Sequence, residues 1–167
     1  MNRKRAFDPV VDADTRLLIL GSLPGDASLR AGQYYGHPRN AFWRLIGGVI
    51  GRDLAALPYE ARLAALAMTS HSPIPVVPSA ASAERPGSLD AAIRAPEAAD
   101  LRGLVSALPA LRAVAFNGGK AAKLGRAVLA DRPEGIALID LPSSSPAHTR
   151  PFADKAAAWA ALAGHLA

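Results

Sequence analysis

The chain has 167 residues, half of them hydrophobic, which suits one domain with a buried core and excludes global disorder. It contains no cysteine, which excludes disulfides, thiolate catalysis and cysteine-ligated zinc, and suits a reducing cytoplasm. The formal net charge is +5, and from Ala27 to Arg52 the charged residues are Arg30, Arg39, Arg44 and Arg52 with no acid among them, the footprint expected for a polyanion such as DNA.

The basic start, Met1-Asn2-Arg3-Lys4-Arg5, is followed by Asp8, Asp12 and Asp14, which break any signal-peptide core. No run reaches the ~20 apolar residues of a membrane helix. Arg16 to Leu20 predicts a short strand buried on both faces. The loop from Gly21 to Arg39 is long for a compact domain, as functional loops are. Asn40 suits the N-cap of a helix from about Ala41 to Ile50, with Phe42, Leu45, Ile46, Val49 and Ile50 as its apolar stripe. A second helix is predicted over Pro58–Ala67. Ile74 to Val77 reads as a strand, but Pro73, Pro75 and Pro78 argue against a central position. Pro96 reads as the start of a helix reaching about Leu108. Then follow a strand over Arg112–Phe116, a helix over Lys120–Ala130, a strand over Ile136–Leu141 and a closing helix over Phe152–Leu166.

Strands alternating with helices predict an α/β fold: three αβα layers around a short, mainly parallel sheet of about four strands. No interdomain linker or repeat interrupts residues 1–167, so one domain is expected. Polar, glycine- or serine-rich loops follow Leu20, Phe116 and Leu141, and parallel strands would gather them at one carboxyl edge, around one pocket.

Familiar signatures fail. Gly119-Lys120 resembles the tail of a P-loop, but Val114 takes the place of the earlier glycine and Ala121 that of Ser/Thr. No G-x-G-x-x-G follows the first strand, and no G-x-S-x-G accompanies Asp140, Ser143–Ser145 and His148. His37, His71, His148 and His165 have no zinc spacing, so neither a metal nor another cofactor is expected. What remains is neutral and polar: Ser22, Asn40, Asn117, Ser143, Ser144 and Ser145, with Tyr34 and Tyr35. Asparagine pairs a donor with an acceptor, as a base edge does; tyrosine offers a stacking face; hydroxyls and loop N–H groups suit phosphate oxygens. Taken singly, Asn40 also reads as a helix cap, Asn117-Gly118 as a turn and the serines as a solvated loop.

Three stretches in this order resemble the uracil-DNA glycosylase superfamily, most of all its hypoxanthine-DNA glycosylase branch, with kinship to the mismatch-specific uracil-DNA glycosylases. They are Leu20-Gly21-Ser22-Leu23-Pro24-Gly25 with Tyr34 through Trp43; Arg85-Pro86-Gly87-Ser88-Leu89-Asp90; and Phe116-Asn117-Gly118 with Leu141 through Ala147. The resemblance implies Asn40 as the catalytic residue, where other branches use an Asp or Asn at the place of Ser22 or Leu23. It implies a base pocket of Gly21, Ser22, Tyr35 and Asn117, with Tyr35 stacking on the extruded base. Ser143, Ser144, Ser145 and Pro146, joined by Arg39 and His148, would contact DNA. Members usually carry a strand ending in Trp-Asp before the Arg85 motif; Pro73–Pro78 lacks both residues, so no pocket residue is carried over there.

The implied activity is that of a monofunctional DNA repair glycosylase. It would flip a deaminated base, hypoxanthine or uracil, out of duplex DNA and hydrolyse its N-glycosidic bond, leaving an abasic site. A cytoplasmic monomer of bacterial type, with DNA as partner and no membrane, is expected. The alternative is a non-catalytic nucleic-acid-binding domain of the same fold.

Overall fold

The computed structural model describes residues 3–5, 13–21, 33, 35–67, 76–78, 80–84, 94–98 and 101–166. Strand β1 is Arg3–Arg5, β2 Leu17–Gly21, β3 Val76–Pro78, β4 Ala80–Glu84, β5 Arg94–Ala98, β6 Ala113–Asn117 and β7 Ala137–Leu141. Helix α1 is Phe42–Ile50, α2 Tyr59–Ala67, α3 Leu101–Ser106, α4 Gly119–Val128 and α5 Phe152–Ala160.

Four strands form a parallel sheet in the order β3-β2-β6-β7. Side chains of β2 alternate between its two faces, so a run of four apolar residues serves both. Leu17 and Ile19 pack with Phe42, Leu45 and Ile46 of α1, Leu66 of α2 and Trp159 of α5. Leu18 and Leu20 pack with Leu101 and Val105 of α3, Phe116 of β6 and Ala121 of α4. Helices therefore cover both faces, giving the expected three layers. Strand β3, which ends in Pro78, is at the sheet's edge among the described residues, paired to β2, and an edge is where a sheet accommodates a residue without an N–H.

Two expectations are corrected. Pro96 does not open a helix. It lies inside β5, which pairs antiparallel with β4 in a second, three-stranded sheet ordered β1-β4-β5. As the outer strand of that sheet, flanked by register shifts, β5 tolerates a residue without an N–H. The helix starts only at Leu101. The closing helix also ends early: α5 stops at Ala160, and Ala161–His165 tightens into a 3₁₀ turn that still buries Leu162.

Candidate active site

The three carboxyl-edge loops meet around one asparagine. Asn117, the last residue of β6, is 5% exposed. Its Oδ1 accepts the Ser144 backbone N–H at 2.8 Å. Its Nδ2 donates to Ser144 Oγ at 2.9 Å and to the Tyr35 hydroxyl at 3.2 Å. With an acceptor and both donors engaged, the amide joins the loop after β2 to the loop after β7. Two glycines make the approach possible. A Cβ on Gly21 would lie 2.8 Å from the Tyr35 hydroxyl oxygen. One on Gly118, whose φ is +96°, would lie 3.0 Å from Ser143 Cβ.

Tyr35 has a left-handed backbone (φ +54°), a conformation that costs a bulky residue of order 1–3 kcal/mol. Its ring stacks on Phe42, centroids 3.9 Å apart and planes 19° from parallel. That contact closes this face of the ring to a base.

Asn40 closes a tight turn whose backbone N–H donates to His37 O at 3.0 Å, while Arg39 N–H donates to His37 Nδ1 at 3.1 Å. Its Oδ1 accepts the Phe42 N–H at 3.0 Å in an Asx turn, but the cap position of α1 is held by Ala41, whose methyl cannot cap it, so the expected N-cap Asn40 stands one residue earlier. The Phe42 N–H also fixes which end of the amide is oxygen. Among the described residues, Asn40 Nδ2 has no partner. The turn is held to the site because Ala41 N–H donates to Ser144 O at 2.9 Å.

The serine loop divides by direction. Ser144 was expected among the groups that contact DNA, but it is 1% exposed and points inward to Asn117. Ser143 and Ser145 are half-buried and stabilise their own turn: Ser143 Oγ accepts Ser145 N–H at 3.1 Å, and Ser145 Oγ accepts Ala147 N–H at 3.2 Å. Pro146, His148 and Arg39 are exposed. Gly21 ends β2 beside Tyr35, whereas Ser22 and Tyr34, like the Arg85–Asp90 stretch, lie outside the described residues.

Two site residues escaped the sequence reading. Lys155, only 4% exposed, donates from Nζ to His148 O at 2.8 Å and to Ser145 O at 3.3 Å. Burial pushes its pKa below the ordinary lysine value. Trp159 donates from its indole N–H to Pro142 O at 3.0 Å. Both sit four residues apart, one turn from each other on the buried face of α5.

A pocket of about 340 Å³ lies elsewhere, along α1 toward its C-terminal end, between Trp43, Arg44, Gly47 and Arg52. It contains none of the polar groups gathered at the strand ends. No group of three or more metal-binding side chains occurs among the described residues, and none of their helices is long and apolar enough to cross a membrane.

A parallel sheet covered on both faces, with an Asn-Gly pair, a Pro-Ser-Ser-Ser loop and a His-Pro-Arg-Asn turn converging at its carboxyl edge, defines a class of protein. The model of the uracil DNA glycosylase superfamily matches residues 9–163. A hypoxanthine DNA glycosylase of Methanosarcina acetivorans is 40% identical over 162 residues, covering 97% of this chain and 99% of that protein. One of Methanosarcina barkeri is 39% identical over 158 residues, covering 95% and 96%. The solution NMR structure of a candidate uracil DNA glycosylase from M. acetivorans superposes with a TM-score of 0.83 at 40% identity, covering 99% of both chains. This chain belongs to the uracil DNA glycosylase superfamily.

Proposed function

We propose that the protein is a monofunctional DNA glycosylase that removes hypoxanthine, and by the same chemistry uracil, from duplex DNA. The observation that carries the reading is the convergence of the three loops, in a chain alignable nearly end to end with relatives named hypoxanthine DNA glycosylase. Residues 1–167 would act as one domain and as a monomer, in the cytoplasm, on the DNA of the nucleoid.

The reaction requires the nucleotide to leave the stack, at a few kcal/mol, least where the base is mispaired. Water then adds to C1′ as the C1′–N bond breaks. The bonding pair leaves with the base, and the proton lost by water ends on base or solvent. Positive charge develops on the sugar and negative charge on the base, so fixed donors facing the base lower the barrier. Asn40 is the residue to which we assign this chemistry. Its Nδ2, without a partner among the described residues, can donate to the departing base or orient water, and its Oδ1 keeps a second lone pair after accepting the Phe42 N–H. An amide is a weak base, so most of the rate enhancement rests on positioning and electrostatics. Asn117 contributes differently: with its amide already engaged, it holds Tyr35 and Ser144 as walls of the base pocket. Arg39, Ser143, Ser145, Pro146 and His148 would meet the backbone around the flipped position, and Ser144 would support them from within.

The test is release of free base from duplexes carrying one deoxyinosine or one deoxyuridine. Free hypoxanthine together with an intact, alkali-labile strand is expected. Salt-sensitive binding without release of either base would replace this reading with a non-catalytic DNA-binding domain, and strand scission without alkali would end the monofunctional assignment.

A further inference from the structure

Helix α5 buries two hydrogen-bond donors one turn apart, and both serve the same loop. Trp159, fully buried, reaches the loop's first carbonyl, Pro142 O. Lys155 reaches the carbonyls of Ser145 and His148, in the middle and at the end. Between these three attachments runs the whole Pro142–His148 segment. Ser145 O is a shared acceptor, because it also takes the His148 N–H at 3.0 Å. The Lys155 ammonium thus closes the turn of residues 145–148 from below.

No carboxylate pairs with Lys155 among the described residues. A buried ammonium held by carbonyls alone is an expensive way to fill space, since an apolar side chain of similar length would avoid the desolvation. The cost is explained if the loop must keep one shape. Its inner half is already fixed without Lys155: Ser144 N–H bonds Asn117 and Ser144 O accepts Ala41 N–H. Its outer half, exposed at Pro146, Ala147 and His148, is bonded internally and to α5.

We propose that Lys155 and Trp159 are positioning residues that clamp the Pro142–His148 loop at three carbonyls, holding its exposed turn in the shape that meets DNA at the flipped-out nucleotide. The inference rests on the glycosylase reading, but half of its test does not.

The experiment uses the full chain and the variants Lys155→Met, Lys155→Arg and Trp159→Phe. Amide hydrogen exchange is followed by NMR, and base release from a deoxyinosine duplex is followed under single-turnover conditions at saturating enzyme. In Lys155→Met the His148 amide should exchange at least 10-fold faster, while Val114 and Phe116 in the sheet stay within 2-fold of wild type. Base release should slow at least 10-fold at saturation, so that the loss lies in the chemical step and not in affinity. Lys155→Arg, which keeps donors and charge, should recover part of that rate. Trp159→Phe keeps an aromatic side chain but removes the N–H together with part of the buried indole; it should slow release at least 3-fold. Unchanged His148 exchange in a folded Lys155→Met variant overturns the clamp. A loosened turn with wild-type base release overturns its link to catalysis. Should Lys155→Met lose its sheet protection as well, Trp159→Phe decides: release within 2-fold of wild type overturns the proposal. If the wild type releases no base, the glycosylase reading fails, and His148 exchange still decides whether the clamp exists.

Discussion

Asn40 and Asn117 stand at the same edge of the sheet and differ in how much of their amides the protein itself uses. Asn117 is buried, its Oδ1 engaged by one N–H and its Nδ2 by two hydroxyls. Asn40 sits half-exposed in a turn, with one bond to its Oδ1 and none to its Nδ2 among the described residues. An amide with both N–H donors engaged can hold a geometry but has no donor left to offer a ligand. One that is half used can do both. Chemistry is therefore assigned to Asn40 and architecture to Asn117, although sequence alone reads the one as a helix cap and the other as a turn.

The contrast predicts opposite phenotypes. Asn40→Ala should lower single-turnover base release about 100-fold, or ~2.7 kcal/mol of barrier, at a stability loss of only about 1 kcal/mol for the lost hydrogen bond to the Phe42 N–H. Asn40→Asp, which keeps the accepting oxygen but offers no N–H, should stay near wild-type stability and still lose most activity. Kinetics and thermal melts on the same samples check both.

Asn117→Leu should reverse the balance. It strands the buried Ser144 N–H and leaves two hydroxyls without their donor, costing about 2–3 kcal/mol by denaturant titration. Its activity should fall chiefly because the loops no longer meet. A variant as stable as wild type would mean that the Asn117 bonds are not structural.

The close approach of Gly21 sharpens the comparison further. Gly21→Ala places a methyl 2.8 Å from the Tyr35 hydroxyl oxygen, an overpacking expected to cost ~1–2 kcal/mol. Tyr35→Phe removes that oxygen, so the double variant should be more stable than Gly21→Ala alone. Simple additivity of the two losses would show that the methyl is accommodated elsewhere.

The smallest effect concerns pH. Burial lowers the Lys155 pKa in the folded state, so between that value and the unfolded value the unfolded chain binds more protons. The contribution of Lys155 to stability must then rise as pH climbs through that alkaline window. Lys155→Met should remove the rise, so the stability of wild type relative to the variant should grow on going from neutral to alkaline pH. A difference independent of pH would contradict the direction of the shift.

Much of the scaffold was legible because it follows local rules. Leu17–Leu20 and Ala113–Phe116 are apolar runs that only a sheet covered on both faces can bury. The prolines around Val76 and Val77 placed that strand at an edge. Pro96 misled because the preference of proline for helix starts is a local rule. What makes 94–98 a strand is pairing with 80–84, a partner that no window around Pro96 contains. The site was legible as a list of residues but not as a set of roles. An Asn-Gly pair reads as a turn whether its amide is free or engaged, and three serines in a row look alike until the middle one is seen to point inward. Lys155 was invisible for a related reason: in an alanine-rich helix a lysine reads as surface charge, and only the packing of α5 under the loop buries it.

The most direct test of the division between the two asparagines is single-turnover release of hypoxanthine from a deoxyinosine duplex by wild type and Asn40→Asp, with thermal stability read on the same preparations. The prediction is free base from wild type and a loss of most of that rate in Asn40→Asp, at nearly unchanged stability. Base release at the wild-type rate by a folded Asn40→Asp protein would contradict the assignment of chemistry to the N–H end of the Asn40 amide.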